Sequence, residues 1–219
     1  MALAPAERAL LALEAERLGA FLSDSQVDQM DAYVSELVRW SKRMNLIGAN
    51  TQGEILERHV LDSLAPAATI RKFNPSPKIV DIGSGAGLPG IPLAIAIPEA
   101  KLMLLEPRRK RANFLRAACR ECFTWNIQVE SVRAEDFQPG DEDCFDIAVS
   151  RATVPPEELP GATEHLLKPG GLLVGFTTDR KAAKEEAPRG FSRPQISPYQ
   201  RTQGGPELTL TTWTRNQLS

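Results

Sequence analysis

The residues best placed to do chemistry form one run, Asp81-Ile82-Gly83-Ser84-Gly85-Ala86-Gly87, followed by Leu88-Pro89-Gly90. Backbone without a Cβ can turn sharply and let a ligand lie against it. A helix starting just after such a turn points free N–H groups at that ligand. The dinucleotide fingerprint is G-x-G-x-x-G, whereas the spacing here is D-x-G-x-G-x-G. The acidic residue Asp81 at the head of the run favours a ligand carrying a cation, a sulfonium or an amino group, over a pyrophosphate. Glu106, at the end of the next apolar run, lies where a carboxylate can accept both hydroxyls of a ribose. Together these spacings favour S-adenosylmethionine as cofactor, held by Asp81, Gly83, Gly85, Gly87 and Glu106.

Two further segments fall at the ends of apolar runs. Arg133-Ala134-Glu135-Asp136-Phe137 follows the third, where a backbone N–H and the acidic Glu135 can read the edge of an adenine. Ser150-Arg151-Ala152-Thr153 ends the fourth, and open α/β sheets bind ligands outside the carboxyl ends of their strands. Arg151 is therefore expected in the cleft. From Pro107 to Arg120 there are six basic residues and no acidic one. That makes Arg108, Arg109 and Arg111 candidates for contact with a polyanion, against the plainer reading of a solvated helix face. The Asn-Pro-Pro-aromatic motif of enzymes that methylate exocyclic amines is absent, since Thr153-Val154-Pro155-Pro156 does not supply it. Cys119 and Cys122 form a C-x-x-C pair, but they lie in a helical pattern with Phe114, Leu115 and Ala118. They read as small core hydrophobes, and no metal centre is expected.

The elements that must position these groups follow from periodicity. Residues 1–72 read as a helical extension: a leucine-bearing Ala/Glu-rich stretch, then Val27, Met30, Val34, Leu37 and Val38 at helical spacing, then a third helix after Thr51 that stops near Pro66. Ser23-x-x-Gln26 and Ser25-x-x-Asp28 both offer start signals for the second helix, and Thr51-x-x-Glu54 one for the third. Past Asn74-Pro75-Ser76-Pro77 the pattern changes. Strands are expected over 78–82, 101–106, 127–132, 145–150 and 171–176, with helices over 90–97, 108–123 and 156–167. That alternation predicts an α/β fold, a Rossmann-like, mostly parallel sheet with helices on both faces, in a cofactor-binding domain spanning 73–219. Pro188, Pro194, Pro198 and Pro206 argue for loop before a last, antiparallel strand over 207–214.

Composition sets the outer bounds. The 219 residues are 42% hydrophobic and 25% charged, ordinary for a globular chain with a real core. The leucines of the first helix are interrupted by charges, so neither a leader peptide nor a membrane span is expected, and the cytoplasm is the expected compartment. The net charge of −2 announces no polyanion partner by itself.

With these residues in view, the chain resembles the bacterial small-subunit (16S) ribosomal RNA guanine-N7 methyltransferases, the glucose-inhibited division protein B family. The likeness runs from about Trp40 to Phe176. It is carried by Lys42-Arg43-Met44-Asn45-Leu46, His59-Val60-Leu61-Asp62-Ser63-Leu64, the run from Asp81 to Pro92, Lys110-Arg111-x-x-Phe114-Leu115, Ala134-Glu135 and Ser150-Arg151-Ala152. The resemblance implies S-adenosylmethionine held by Gly83, Leu88, Glu106, Ala134, Glu135 and Arg151. It implies ribosomal RNA or the small ribosomal subunit as partner, and places His59 and Asp62 on a helix over the cleft. The family commonly has Lys-Gly after the fifth strand, where this chain reads Gly175-Phe176-Thr177-Thr178, and its basic last strand is poorly matched by Leu208–Thr214. Those departures touch substrate contacts. A methyltransferase for another RNA or a small molecule, a non-catalytic RNA-binding relative and a nicotinamide dehydrogenase are the competing readings. Guanine N7 carries a lone pair and no proton, so the reaction calls for positioning, with Arg151 contributing, and for no general base.

Overall fold

The computed structural model describes residues 2–48, 51–151, 155–177 and 187–217. The amino-terminal part is helical. α1 (Pro5–Arg17) begins on a proline, and α2 (Asp24–Ser41) begins on a capping box in which Ser23 and Gln26 each satisfy the other's main-chain N–H. Val27, Met30, Tyr33, Val34 and Leu37 make the buried face of α2. Thr51 and Glu54 form a second capping box at α3 (Gln52–Ile55). The single third helix expected from the sequence is here in pieces. A five-residue π turn, Leu56–Val60, links α3 to α4 (Leu61–Leu64), and after Pro66 the chain forms α5 (Ala67–Phe73).

The remainder alternates strand and helix: β1 (Lys78–Ile82), α6 (Gly90–Ala96), β2 (Lys101–Leu105), α7 (Arg109–Glu121), β3 (Ile127–Glu130), β4 (Phe145–Arg151), α8 (Leu159–Thr163) and β5 (Leu167–Thr177). β6 (Gln195–Gln200) and β7 (Glu207–Thr214) close the chain. The seven strands run in the order β3-β2-β1-β4-β5-β7-β6. β1 to β5 are parallel, and β7 inserts antiparallel between β5 and β6. The central strands are apolar because both faces are covered. One core joins the amino-terminal helices to α6, α7 and one sheet face; a second lies under the other face around Leu159, Phe191 and Trp213.

Further expectations change, and β5 begins at Leu167, four residues before its expected start. The proline-rich stretch read as loop contains β6, with Pro198 opposite Thr209 of β7. β6 is the edge strand, where one row of N–H groups needs no partner, so a proline is tolerated there. The helix expected over 156–167 shortens to α8 plus a 3₁₀ turn, Glu164–Leu166. Ala152, Thr153, Val154 and Thr178 lie outside the described residues.

Candidate active site

The strand order reverses between β1 and β4, which both leave the sheet beside the glycine loop. There a cleft of about 650 Å³ is walled by Ile82, Gly83, Leu105, Glu106, Pro107, Arg108, Arg111, Arg133, Ala134, Glu135, Leu159 and Ala162. It occupies the place at which open α/β sheets hold ligands.

Glu106 organises the cleft floor. It is 3% exposed; its Oε2 accepts from Gly85 N at 3.0 Å and its Oε1 from Arg108 N at 2.8 Å. Each oxygen has taken one N–H and retains capacity for another donor. The carboxylate thus ties the glycine loop to the start of α7 while facing the cavity. The loop is held from other sides as well. Ser84 N donates to Leu105 O at 3.1 Å and Gly87 N to Ser84 O at 2.7 Å. Tyr33, fully buried on α2, donates from its hydroxyl to Ala86 O at 2.7 Å.

The glycines divide by role. Gly83, Gly85 and Gly87 all have positive φ, which disfavours any side chain. A Cβ at Gly85 would meet Gly83 O at 3.7 Å and Arg111 Nη1 at 3.9 Å, ordinary contact distances with no clash. A Cβ at Gly90 would lie 2.4 Å from Leu104 Cδ2 and 2.6 Å from Asp81 Oδ2. Gly90 therefore lets α6 pack against the sheet, whereas Gly85, which is not a wall residue of the cleft, is required for its backbone turn rather than for close packing.

Asp81 is placed differently from its sequence reading. It has no exposure and is not among the cleft-wall residues; its Oδ2 accepts from Gly90 N at 3.0 Å, fixing the first residue of α6. Its Oδ1 has no hydrogen-bond partner among the described residues. Burial pushes its pKa up to about 7, against the lowering influence of the Ser84 hydroxyl, the Gly90 amide and Arg151. Gly87 and Leu88 also lie behind the wall, Leu88 being 4% exposed.

On the opposite wall, Ala134 and Glu135 sit in a 3₁₀ turn, Ala134–Asp136, following β3. The ring Nε2 of His165 lies 3.0 Å from Ala134 O and steadies that turn. Arg108 and Arg111 line the cleft, whereas Arg109 does not. Arg151 ends β4 but is not a wall residue: its Nη1 pairs with Asp62 Oδ2 at 3.1 Å. His59, one turn before Asp62, is held down to about 4 by burial and then by the Arg151 charge. Cys119 and Cys122 are buried near the end of α7, where burial pushes the Cys119 thiol up to about 11 and Cys122 higher still.

Of the residues singled out in the sequence, Gly83, Glu106, Arg108, Arg111, Ala134 and Glu135 meet at one cleft. The sequence reading missed Tyr33, His165, Leu159, Ala162 and Arg133. Tyr33 and His165 reach the site across long chain separations and carry no motif; Arg133 stood beside a recognised pair and was passed over.

A family model described as rRNA small subunit methyltransferase G matches residues 26–193. The ribosomal RNA small subunit methyltransferase G of Nitrosococcus oceani is 40% identical over 159 residues, 73% of this chain and 72% of that protein. Among solved structures, a SAM-dependent O-methyltransferase from Thermotoga maritima is similar at a TM-score of 0.54 and 16% identity, over 84% of this chain and 72% of that one. A variant of MtNAS in complex with S-adenosylmethionine is similar at a TM-score of 0.57 and 16% identity, over 95% of this chain and 77% of that one. Likeness at such low identity speaks to the fold.

Proposed function

The chain belongs to the rRNA small subunit methyltransferase G family, and from that premise we propose that it uses S-adenosylmethionine to methylate N7 of a guanine in a loop of 16S ribosomal RNA. The observation that carries the reading is Glu106, nearly buried at the end of β2 with both oxygens aimed between the glycine loop and the start of α7. A carboxylate so placed suits a ribose diol, and Gly83 in the cleft wall suits a ligand lying against the loop. We assign cofactor contacts to Gly83, Gly85, Glu106, Ala134 and Glu135. Asp81, Gly87 and Leu88 support the loop from behind, and Arg108 and Arg111 offer positive charge to RNA at the rim. When bound, the cofactor supplies an electrophilic methyl group on a sulfonium.

The chain's own task is to hold a guanine so that the in-plane lone pair of N7 faces the cleft, which is catalysis by orientation. N7 has no proton to lose, so no side chain must act as base. His59, kept neutral over the working pH range, is not required as one. A-form duplex buries N7 in a deep, narrow groove, so the target belongs in a loop or a partly folded region. Residues 1–72 serve in this reading as an extension to the domain 73–219, contributing Tyr33 and Asp62 to the surroundings of the cleft. No helix of the described residues is long and apolar enough to cross a membrane, and a ribosomal substrate puts the work in the cytoplasm.

The test is to map modified nucleosides in small-subunit ribosomal RNA from cells with and without the protein, alongside calorimetric titration with S-adenosylmethionine and with NAD. Loss of one N7-methylguanosine, with binding of S-adenosylmethionine alone, is the expected result. An unchanged RNA map, or binding of NAD alone, would overturn it.

A further inference from the structure

Beside the cleft, one carboxylate serves two guanidinium groups. Asp62 Oδ2 pairs with Arg151 Nη1 at 3.1 Å, and its Oδ1 accepts the Tyr199 hydroxyl at 2.6 Å. Arg201 Nε lies 3.3 Å from the same Oδ1, yet it is buried without a properly aligned hydrogen bond. The carboxylate gives its aligned hydrogen bonds to Arg151 and Tyr199, and among the described residues Arg201 Nε receives its charge without such a bond. The cluster gathers three parts of the fold: α4 gives Asp62, the end of β4 gives Arg151, and the β6–β7 hairpin gives Tyr199 and Arg201. His59, in the π turn, feels the same charges: Arg151, its chain neighbour Arg58 and Arg201 all act against a proton on it while Asp62 favours one. Two guanidinium groups around one carboxylate leave the cluster positive.

The side chains of Arg151, Asp62 and Arg201 are 17%, 14% and 25% exposed. They are sheltered enough for charge to matter and open enough for a ligand to reach. The place is adjacent to the cleft: Arg151 follows Ser150, whose β4 position pairs with Ile82 of the cleft wall. Neither Arg151 nor Arg201 lines the cleft itself.

We propose that Arg151, Arg201 and Tyr199 form a binding site for a backbone phosphate of the substrate RNA, with Asp62 as the internal anion that holds the two guanidinium groups in place until that phosphate arrives. The inference rests on the reading above and specifies how the same site takes its substrate. A phosphodiester presents two anionic oxygens in the spacing of the guanidinium fork, and it supplies the aligned acceptor that Arg201 lacks. A second anion beside Asp62 also relieves the surplus positive charge. A carboxylate of the bound cofactor has related chemistry, so the test separates the two sources.

The experiment uses the full-length protein and deproteinised small-subunit ribosomal RNA, with binding measured between 50 and 200 mM salt and methyl transfer followed in parallel. Arg201→Gln is expected to lose roughly five- to tenfold in RNA affinity near 0.1 M salt. The slope of log affinity against log salt should fall by about 0.7–0.9, the share of one phosphate contact. Arg201→Lys should recover most of that slope, and calorimetry should show S-adenosylmethionine affinity within about twofold of wild type. Asp62→Asn keeps an acceptor for Tyr199 and removes a competing anion, so it should bind RNA at least as tightly as wild type. An Arg201→Gln protein with unchanged RNA affinity and slope overturns the inference, whatever its melting temperature. Loss of cofactor affinity alone overturns it in favour of the cofactor carboxylate, and an Asp62→Asn protein weakened as much as Arg201→Gln overturns the role given to Asp62. A wild-type protein that neither binds nor methylates the RNA sinks the functional reading and this inference together. A normal wild type with an unaffected Arg201→Gln sinks only the inference.

Discussion

Asp81 keeps a carboxyl group wholly out of water with one oxygen unpaired, and its pKa of about 7 follows from that burial. Because the folded state raises this pKa above the unfolded value, the native protein binds more protons than the unfolded chain between roughly pH 4 and 7. This contribution to stability is present at low pH and disappears as pH rises through 7. Asp81→Asn retains an acceptor for Gly90 N and never ionises. Its melting temperature should therefore gain on wild type steadily from pH 5 to 7.5, and thermal melts across that range would show an unchanging gap if the placement were wrong. The same residue is the group to test for any pH dependence of the methyl transfer proposed here. With His59 at about 4, only Asp81 among the shifted groups near the cleft titrates around neutrality. Any inflection in single-turnover rate near pH 7 should vanish in Asp81→Asn and persist in His59→Gln. Glu106→Ala removes two charge-assisted hydrogen bonds to main-chain N–H groups and the ribose contact proposed here. Bonds of that kind are worth about 1.5–3 kcal/mol each, so calorimetry should show S-adenosylmethionine affinity lower by at least tenfold.

At the scale of elements, the glycine loop depends on a helix more than forty residues upstream. Tyr33 reaches from α2 to Ala86 O with a buried hydrogen bond, and Tyr33→Phe leaves that carbonyl unpaired away from water. The cost is expected at about 1–3 kcal/mol. It should appear both as a lower melting temperature and as weaker cofactor binding, because the carbonyl belongs to the loop itself. A variant that melts earlier but binds the cofactor as before would show that the loop holds its shape without α2. Gly85→Ala and Gly90→Ala separate the turn of the loop from packing space. Gly90→Ala drives a methyl group into Leu104 and Asp81 and should destabilise the fold by roughly 1–3 kcal/mol. Gly85→Ala incurs mainly the left-handed backbone penalty, about 1–2 kcal/mol, and should lose cofactor affinity out of proportion to its stability.

Over the whole molecule, the amino-terminal helices and the β6–β7 hairpin clasp each other. Glu14 of α1 accepts from Gln203 N at 3.0 Å and pairs with Arg17 at 2.5 Å, while Arg17 donates to Gln200 O. Asp62 and Tyr199 continue the clasp. Burial alone would raise the Glu14 pKa, but the bonds from Arg17 and Gln203 outweigh it, and the group sits below its ordinary value. The sign is opposite to that of Asp81: stability from Glu14 is present above its unfolded pKa and is lost as pH falls through the folded one. Glu14→Gln should therefore destabilise the protein near neutrality and flatten its decline under acid. Hydrogen exchange of the β6 and β7 amides in that variant should rise if the clasp holds the hairpin; unchanged protection would assign the hairpin's stability to β5 alone.

The sequence by itself determined what depends on neighbours along the chain. Alternating apolar runs and helical spacing gave β1 and β7 with their full bounds, β2 to β4 to within two residues and α7 nearly whole, and the capping residues Ser23 and Thr51 marked the starts of α2 and α3. The glycine run and Glu106 were legible because a ligand-holding turn after a strand demands particular residue types at fixed spacing. Only the tertiary structure decided which charges meet. Asp81 reads as a loop-facing acid until the packing of α6 buries it against Gly90. Arg151 reads as a cleft residue until α4 and the hairpin bring Asp62, Tyr199 and Arg201 around it. Pro198 argues against a strand until the sheet places it on an open edge. In each case the deciding partner lies far away in sequence, and burial and pairing, which set a side chain's charge and reach, are properties of the assembled core.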